Sequence, residues 1–328
     1  MTILSSAVLS LGAANKITPP PSNGTAVELE MKNVDFRVQR DITFQIRKLR
    51  GRMKSTQQDR PVTFDDASSF KLDVDSAEMA ITADGLSRLL NNYAFAYEGA
   101  PLKNITVTIA GNRIKQKGTM HKGVDLPFEL EGSLAPTPDG NIRLHADKIK
   151  SAHVPFKGLM HLFGEDLSKL VNVNEARGVR IEGDDIVLFP SRLTPPPHLE
   201  GRVTAVRLEG NKIVEVFGSS SAAAPLHPPL EAANYIYHRG GVLRFGKLTM
   251  TDSDLEIIDN DPSNPFDFFL ADYNAQLVAG YSKNTPSHGL IVRMPDYGRL
   301  HAAASPSHAS SREMLKSSVA PNRTNLKH

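Results

Sequence analysis

The chain has 328 residues, 40% of them hydrophobic and 23% charged, with a net charge of +2, no cysteine and no tryptophan. That composition suits one large or two small folded domains, and it excludes a disulfide framework, a thiolate metal site and a cysteine nucleophile. Residues 298–328 carry Arg299, Arg312, Lys316, Arg323 and Lys327 against Glu313 alone, so the rest is nearly neutral and offers no broad nucleic-acid surface.

The N-terminus, MTILSSAVLSLGAANK, is apolar or small from Ile3 to Ala14 and ends like a secretory signal, without the basic leading region. The expectation is a signal remnant whose start lies upstream, with a cytosolic terminus as the alternative. No stretch reaches the roughly 20 apolar residues of a membrane span. Residues 16–25, KITPPPSNGT, read as a Pro-rich linker, so 1–25 is taken as a flexible N-terminus.

Residues 26–217 read mostly as strands. Val27, Leu29 and Met31 alternate, and so do Val34, Phe36 and Val38 after a one-residue slip. Ile42/Phe44/Ile46, Leu72/Val74 and Ile105/Val107/Ile109 continue the pattern. Val124, Leu126, Phe128 and Leu130 carry it on, followed by Ile142/Leu144 and Val203 to Leu208. Period-2 alternation marks strands with one buried face. Turn residues at 110–112, 138–140, 182–185 and 209–211 predict consecutive hairpins, hence antiparallel pairing. Pro127 cannot donate to a ladder, which predicts an edge or a bulge there.

Two helical regions interrupt the strands. In TADGLSRLLNNYAF, Thr82 is an N-cap, Asp84 complements the helix dipole, and Leu86, Leu89, Leu90 and Tyr93 form one stripe. In VPFKGLMHLFGEDLSKLVN, Pro155 suits the first turn and Gly164 bends or breaks the helix. Residues 218–233 read as a second linker, 234–298 as a smaller β-rich extension, and 299–328 as a disordered basic tail.

Catalytic signatures are missing: there is no GxSxG, GxxxxGK[ST], GxGxxG or HExxH. His121, His145, His153 and His161 cluster in sequence but lack zinc-ligand spacing. Asp259, Asp261 and Ser263 copy the start of a calcium loop, but Asn264 and Leu270 break the pattern, so Asx-turns are the better reading. Asp125, Glu129 and Glu131 share the polar face of one strand, which normally meets water. Gly240-Gly241 reads as a turn. No cofactor and no metal site is expected.

More than ten strands with two helical regions leave a large apolar sheet face to cover. The low aromatic content fits a channel lined by aliphatic side chains. The order of elements runs from TADGLSRLLNNY through the hairpin strands NITVTIAGNRIKQKGTM and VDLPFELEGSLAPTPDGNIRLHADKIK. It continues with VPFKGLMHLFGEDLSKLVN and ends in RGVRIEGDDIVLFPSRLTPPPHLEGRVTAVRLEGNKIVEVF. This order resembles the bacterial cell-envelope phospholipid-binding proteins of the LmeA type, related to the tubular lipid-binding (TULIP) fold. The resemblance covers residues 27–217, and 234–298 lies outside it. It implies an α+β, predominantly antiparallel fold in which a long curved sheet wraps two helical regions, with an apolar groove for acyl chains, outside the cytoplasm.

The expectation is therefore a non-enzymatic binder of a lipid or other apolar small molecule, with peripheral membrane contact and no nucleic acid. The alternatives are a β-rich scaffold with a dry core and an unrecognised hydrolase, which convergence of His121, His145 and Asp147 would support. The expected groove is lined by Val124, Leu126, Phe128 and Leu130, faced by Leu86, Leu90 and Tyr93 from the first helix and Leu159 and Phe163 from the second.

Overall fold

The computed structural model describes residues 26–151, 171–218, 224–230, 232–287 and 289–303. Most of the second expected helix, with Leu159 and Phe163, lies outside the described residues, as do His153, His161 and residues 1–25. Of the expected tail, residues up to Ala303 are described, and they close a helix, Tyr297–Ala303.

The alternating segments become β1 (Val27–Gln39), β2 (Ile42–Ser55), β3 (Val62–Thr63) and β4 (Phe70–Thr82). Then follow α1 (Ala83–Leu89), β5 (Leu102–Ala110), β6 (Arg113–Lys122), β7 (Val124–Pro136) and β8 (Ile142–Ser151). Short strands come next: β9 (Val179–Glu182), β10 (Asp185–Leu188) and β11 (His198–Glu200), then the hairpin β12 (Val203–Glu209) and β13 (Lys212–Gly218). The last block gives β14 (Tyr235–Phe245), β15 (Leu248–Asp259), β16 (Phe266–Phe269), β17 (Tyr281–Asn284) and β18 (Leu290–Met294). All four expected hairpins form: β5–β6, β7–β8, β9–β10 and β12–β13. At the tips Gly111 and Gly210 have φ of 61° and 62°, where a side chain would be strained.

The fold is predominantly antiparallel β, and the described strands form two sheets. The larger runs β12-β13-β4-β2-β1-β14-β15-β18-β17, with β11 on β4, β16 on β1 and β3 on β14. It is mixed rather than purely antiparallel, because β1/β16, β4/β11, β3/β14 and β15/β18 pair in parallel. The smaller sheet, β5-β6-β7-β8-β10-β9, is antiparallel throughout. A sheet with one apolar face must bury it against something, and one continuous hydrophobic core here draws on both sheets and α1. Among the described residues no helix is long and apolar enough to cross a membrane.

Residues 234–298 extend the larger sheet. β14 pairs with β1 from Glu28↔Arg239 to Lys32↔Tyr235, and β16 takes over the same side of β1 from Val34↔Phe266 to Arg37↔Phe269. The change of partner falls at Asn33, whose φ is 54°. This is the expected phase slip: Met31 and Val34 are both buried, and opposite them so are Ile46 and Leu49. Gly240-Gly241 is not a turn. Both glycines lie inside β14 with positive φ; Gly240 pairs with Ser253, and the adjoining Asp252 also has positive φ.

α1 begins as its sequence dictates. Thr82 Oγ1 accepts from Gly85 N–H at 2.9 Å, and Asp84 pairs with Arg88 one turn on at 2.8 Å. From Leu90 to Ala94 the helix widens into a π-turn. Its side chains also bond the outer edge of β5. Asn91 Nδ2 donates to Ile105 C=O at 2.7 Å, and Ile105 N–H donates to Asn91 Oδ1 at 2.8 Å. Val107 N–H donates to Ser87 Oγ, and that hydroxyl donates to Ala83 C=O. Helix side chains thus occupy the bonding positions that a further strand would take.

Candidate apolar cavity

The inward faces of the two sheets do not meet completely. Between them lies a cavity of about 90 Å³. The larger sheet contributes Phe36, Ile46, Met79 and Ile213 among others, and the smaller contributes Val107, Ile114, Leu144 and Ile186. Leu86, Leu89 and Leu90 close one side, and Leu193, Thr194 and Pro197 belong to a segment closing another. The inward phase of each strand supplies the lining. In β13 this phase is Ile213, Glu215 and Phe217.

The expected groove residues divide. Leu86 and Leu90 line the cavity and are buried. Tyr93 is half-buried and faces elsewhere: it lines a surface groove with Lys71, Arg177, Arg192 and His198, its ring 5.6 Å from the Arg177 guanidinium. From β7 the cavity takes Leu134. Leu130 is buried in the core, Leu126 and Phe128 are half-buried, and Val124 is 61% exposed. Within the described residues β8 pairs with β7 from Phe128↔Ser151 onward. β7 is an interior strand and not an edge, and its register with β6 runs unbroken through Thr119↔Pro127, so the expected edge or bulge at Pro127 is not found in that pairing.

The polar face of β7 meets water through cross-strand ion pairs. Lys117 faces Glu129 at 3.3 Å, Lys115 faces Glu131 at 3.6 Å, and His121 Nδ1 lies 2.6 Å from Asp125. These are exposed or half-exposed pairs of small worth. The three groups that a hydrolase would bring together are each engaged separately: His121 with Asp125, His145 with Asp185, and Asp147 with Arg113. Asp259 and Asp261 make the expected Asx-turns, accepting from Asp261 N–H and Ser263 N–H at 2.8 and 3.1 Å. Among the described residues no cluster of three histidines or carboxylates could hold a metal ion.

No protein-family model, curated protein or solved structure matches this chain.

Three polar side chains interrupt the otherwise apolar described lining: Gln116 of β6, Thr194 and Glu215. Glu215 has Met79 and Val206 as its direct cross-strand neighbours, with Ile213 and Phe217 on either side along its own strand. Glu215 is half-buried by exposed area, and desolvation by these groups pushes its carboxyl up to about 7. Thr194 Oγ1 is buried without a hydrogen-bond partner. Sequence reasoning missed Glu215, although the signal was present: in KIVEVFG a carboxylate occupies the phase otherwise held by Ile213 and Phe217.

A fully buried ionisable group lies outside this cavity's lining. His238 of β14 is fully buried, with its ring edge-on to Phe64 at 5.4 Å. Desolvation pulls its pKa down to about 4, so it is neutral near pH 7. Phe64 in turn packs with Phe245 and Tyr273, the three rings 4.9–5.4 Å apart from one another.

Proposed function

We propose that this chain is a non-enzymatic binder or carrier of a lipid or similar apolar ligand in the bacterial cell envelope. The observation that carries this reading is the cavity between the sheets, whose described lining is apolar except for Gln116, Thr194 and Glu215. The ligand's chain would lie between the two inward faces, alongside Leu86 and Leu90. Val124, exposed beside the β6–β7 turn, is the kind of apolar contact such a carrier presents to a membrane surface. Native mass spectrometry and solvent extraction of protein purified from a bacterial host test the reading, together with uptake of a fluorescent fatty acid. Bound lipid or saturable uptake is expected; protein with neither refutes it.

The size of the cavity favours a second reading, a β-rich scaffold with a dry core. At about 90 Å³ it is smaller than the ~150 Å³ engineered cavity that takes up benzene. A Val107→Phe variant separates the two. Ligand binding predicts that filling the slot abolishes uptake. A scaffold has no uptake to lose and gains or loses only stability.

A further inference from the structure

We propose that the cavity accepts a single-chain amphiphile with an amine head, and that Glu215 is the group that holds the head. This rests on the cavity being a ligand site. It adds the chemical class of the ligand.

The argument starts from what surrounds the carboxylate. Glu215 projects from the inward phase of β13, and its nearest neighbours on the sheet are Ile213, Phe217, Met79 and Val206. It is the one ionisable residue in the described lining, and no described side chain bonds or pairs with it. The residue is half-buried, and a carboxylate partly taken out of water without a cation or donors is costly. The unmet demand is for positive charge and for donors.

The other polar groups sharpen the choice. Gln116 and Thr194 can each donate as well as accept, and the acceptor Thr194 Oγ1 is without a partner. An ammonium group has three donors and no acceptor, so it matches a carboxylate, an amide oxygen and a hydroxyl. A fatty acid would bring a second carboxylate against the first, and an alcohol would leave the charge unanswered. The slot is small, about 90 Å³, which limits the guest to one short unbranched alkyl chain. Its apolar walls would hold the chain while Glu215 fixes the head, so the site discriminates by head chemistry and not by chain alone.

Calorimetric titration of the full chain with butylamine, butanol and butanoate at about pH 8 tests this. Butylamine is expected to bind roughly tenfold or more tightly than butanol, the usual worth of a hydrogen bond to a charged partner. Butanoate is expected to bind weakest. Glu215→Gln should remove the amine's advantage and leave butanol binding as it was. Equal affinity for amine and alcohol, tightest binding of butanoate, or an amine advantage that survives in Glu215→Gln overturns the inference. In each case the cavity reading stands, because alkyl chains still bind. Binding of none of the three by the wild-type chain overturns both. If the variant fails to fold by circular dichroism, the wild-type amine-to-alcohol ratio decides. It must grow between about pH 6 and pH 8 as Glu215 loses its proton while the amine stays charged; a constant ratio counts against Glu215.

Discussion

His238 and Glu215 are both ionisable groups in apolar surroundings, and a change of pH acts on them in opposite directions. The folded-state pKa of His238 is depressed to about 4, below the 6.5 of an unfolded histidine. The unfolded chain therefore holds the proton more tightly, and stability falls as pH drops from 6.5 towards 4, by no more than about 3 kcal/mol. Urea unfolding of His238→Phe at about pH 7 and about pH 4.5 should show a smaller acid loss than the wild type; an equal loss would clear His238 of this role. Glu215 runs the other way. Its folded-state pKa is raised from 4.5 to about 7, so its contribution is intact below 4.5 and is lost as pH rises to 7 and beyond. Glu215→Gln is expected to match the wild type near pH 4 and exceed it near pH 8, by roughly 1–3 kcal/mol. Equal midpoints at pH 8 would mean that the carboxylate is better solvated than its neighbours imply. The sequence disclosed what each residue is, and for Glu215 it disclosed a charge in an apolar phase. It did not disclose that no cation of the described chain comes to meet it, because that depends on which strands end up opposite.

The α1 element was legible nearly in full. Thr82 caps it, Asp84 and Arg88 pair along it, and Leu86, Leu89 and Leu90 are buried as one stripe. What periodicity could not show was the π-turn at Leu90–Ala94, after which Tyr93 is only half-buried. Nor could it show that Asn91 serves as a substitute strand for Ile105. Asn91→Ala would leave a backbone donor and acceptor of Ile105 without partners. The expected cost is roughly 2–4 kcal/mol in urea unfolding, with faster amide exchange along β5. A loss below ~0.5 kcal/mol would mean that water replaces the amide. β7 teaches the converse. Its alternation from Val124 to Leu134 correctly marks one apolar face, but burial along that face runs from Val124, 61% exposed, through half-buried Leu126 and Phe128 to buried Leu130. Alternation states which face is apolar; it does not state how far along that face is covered. Gly132 belongs to the same strand. A Cβ there would sit 2.1 Å from His145 C=O, so the position is held by close backbone approach and not by hairpin chemistry.

At the scale of the whole molecule, the sequence suggested a lipid-binding-like block and an appended extension. The strand order places β14 and β16 of that extension directly beside β1, and the core cluster runs from Val27 to Met294. Pairing partners some 200 residues apart leave no local trace in a hydrophobic pattern. The turns that join hairpins are local and were readable for that reason. One consequence is that the described chain should unfold as a unit. A fragment ending at Gly218 would expose β1 along one side and uncover the apolar positions of Leu29, Met31 and Phe36. It is expected to be unfolded or aggregated by circular dichroism and size-exclusion chromatography, whereas the full chain gives one cooperative transition. A soluble, cooperatively folded fragment would restore the two-block description.

The helix–edge contact has a further implication for any opening of the cavity. Leu86 and Leu90 wall the slot, and Ser87 and Asn91 on the same helical segment occupy the hydrogen-bonding groups along β5. Lifting the segment to admit a bulky guest would therefore bare a row of strand donors and acceptors at the same moment. Access to the interior and resistance to self-association are thus governed by one short stretch of chain, and a guest that props the segment open should also make the molecules adhere to one another.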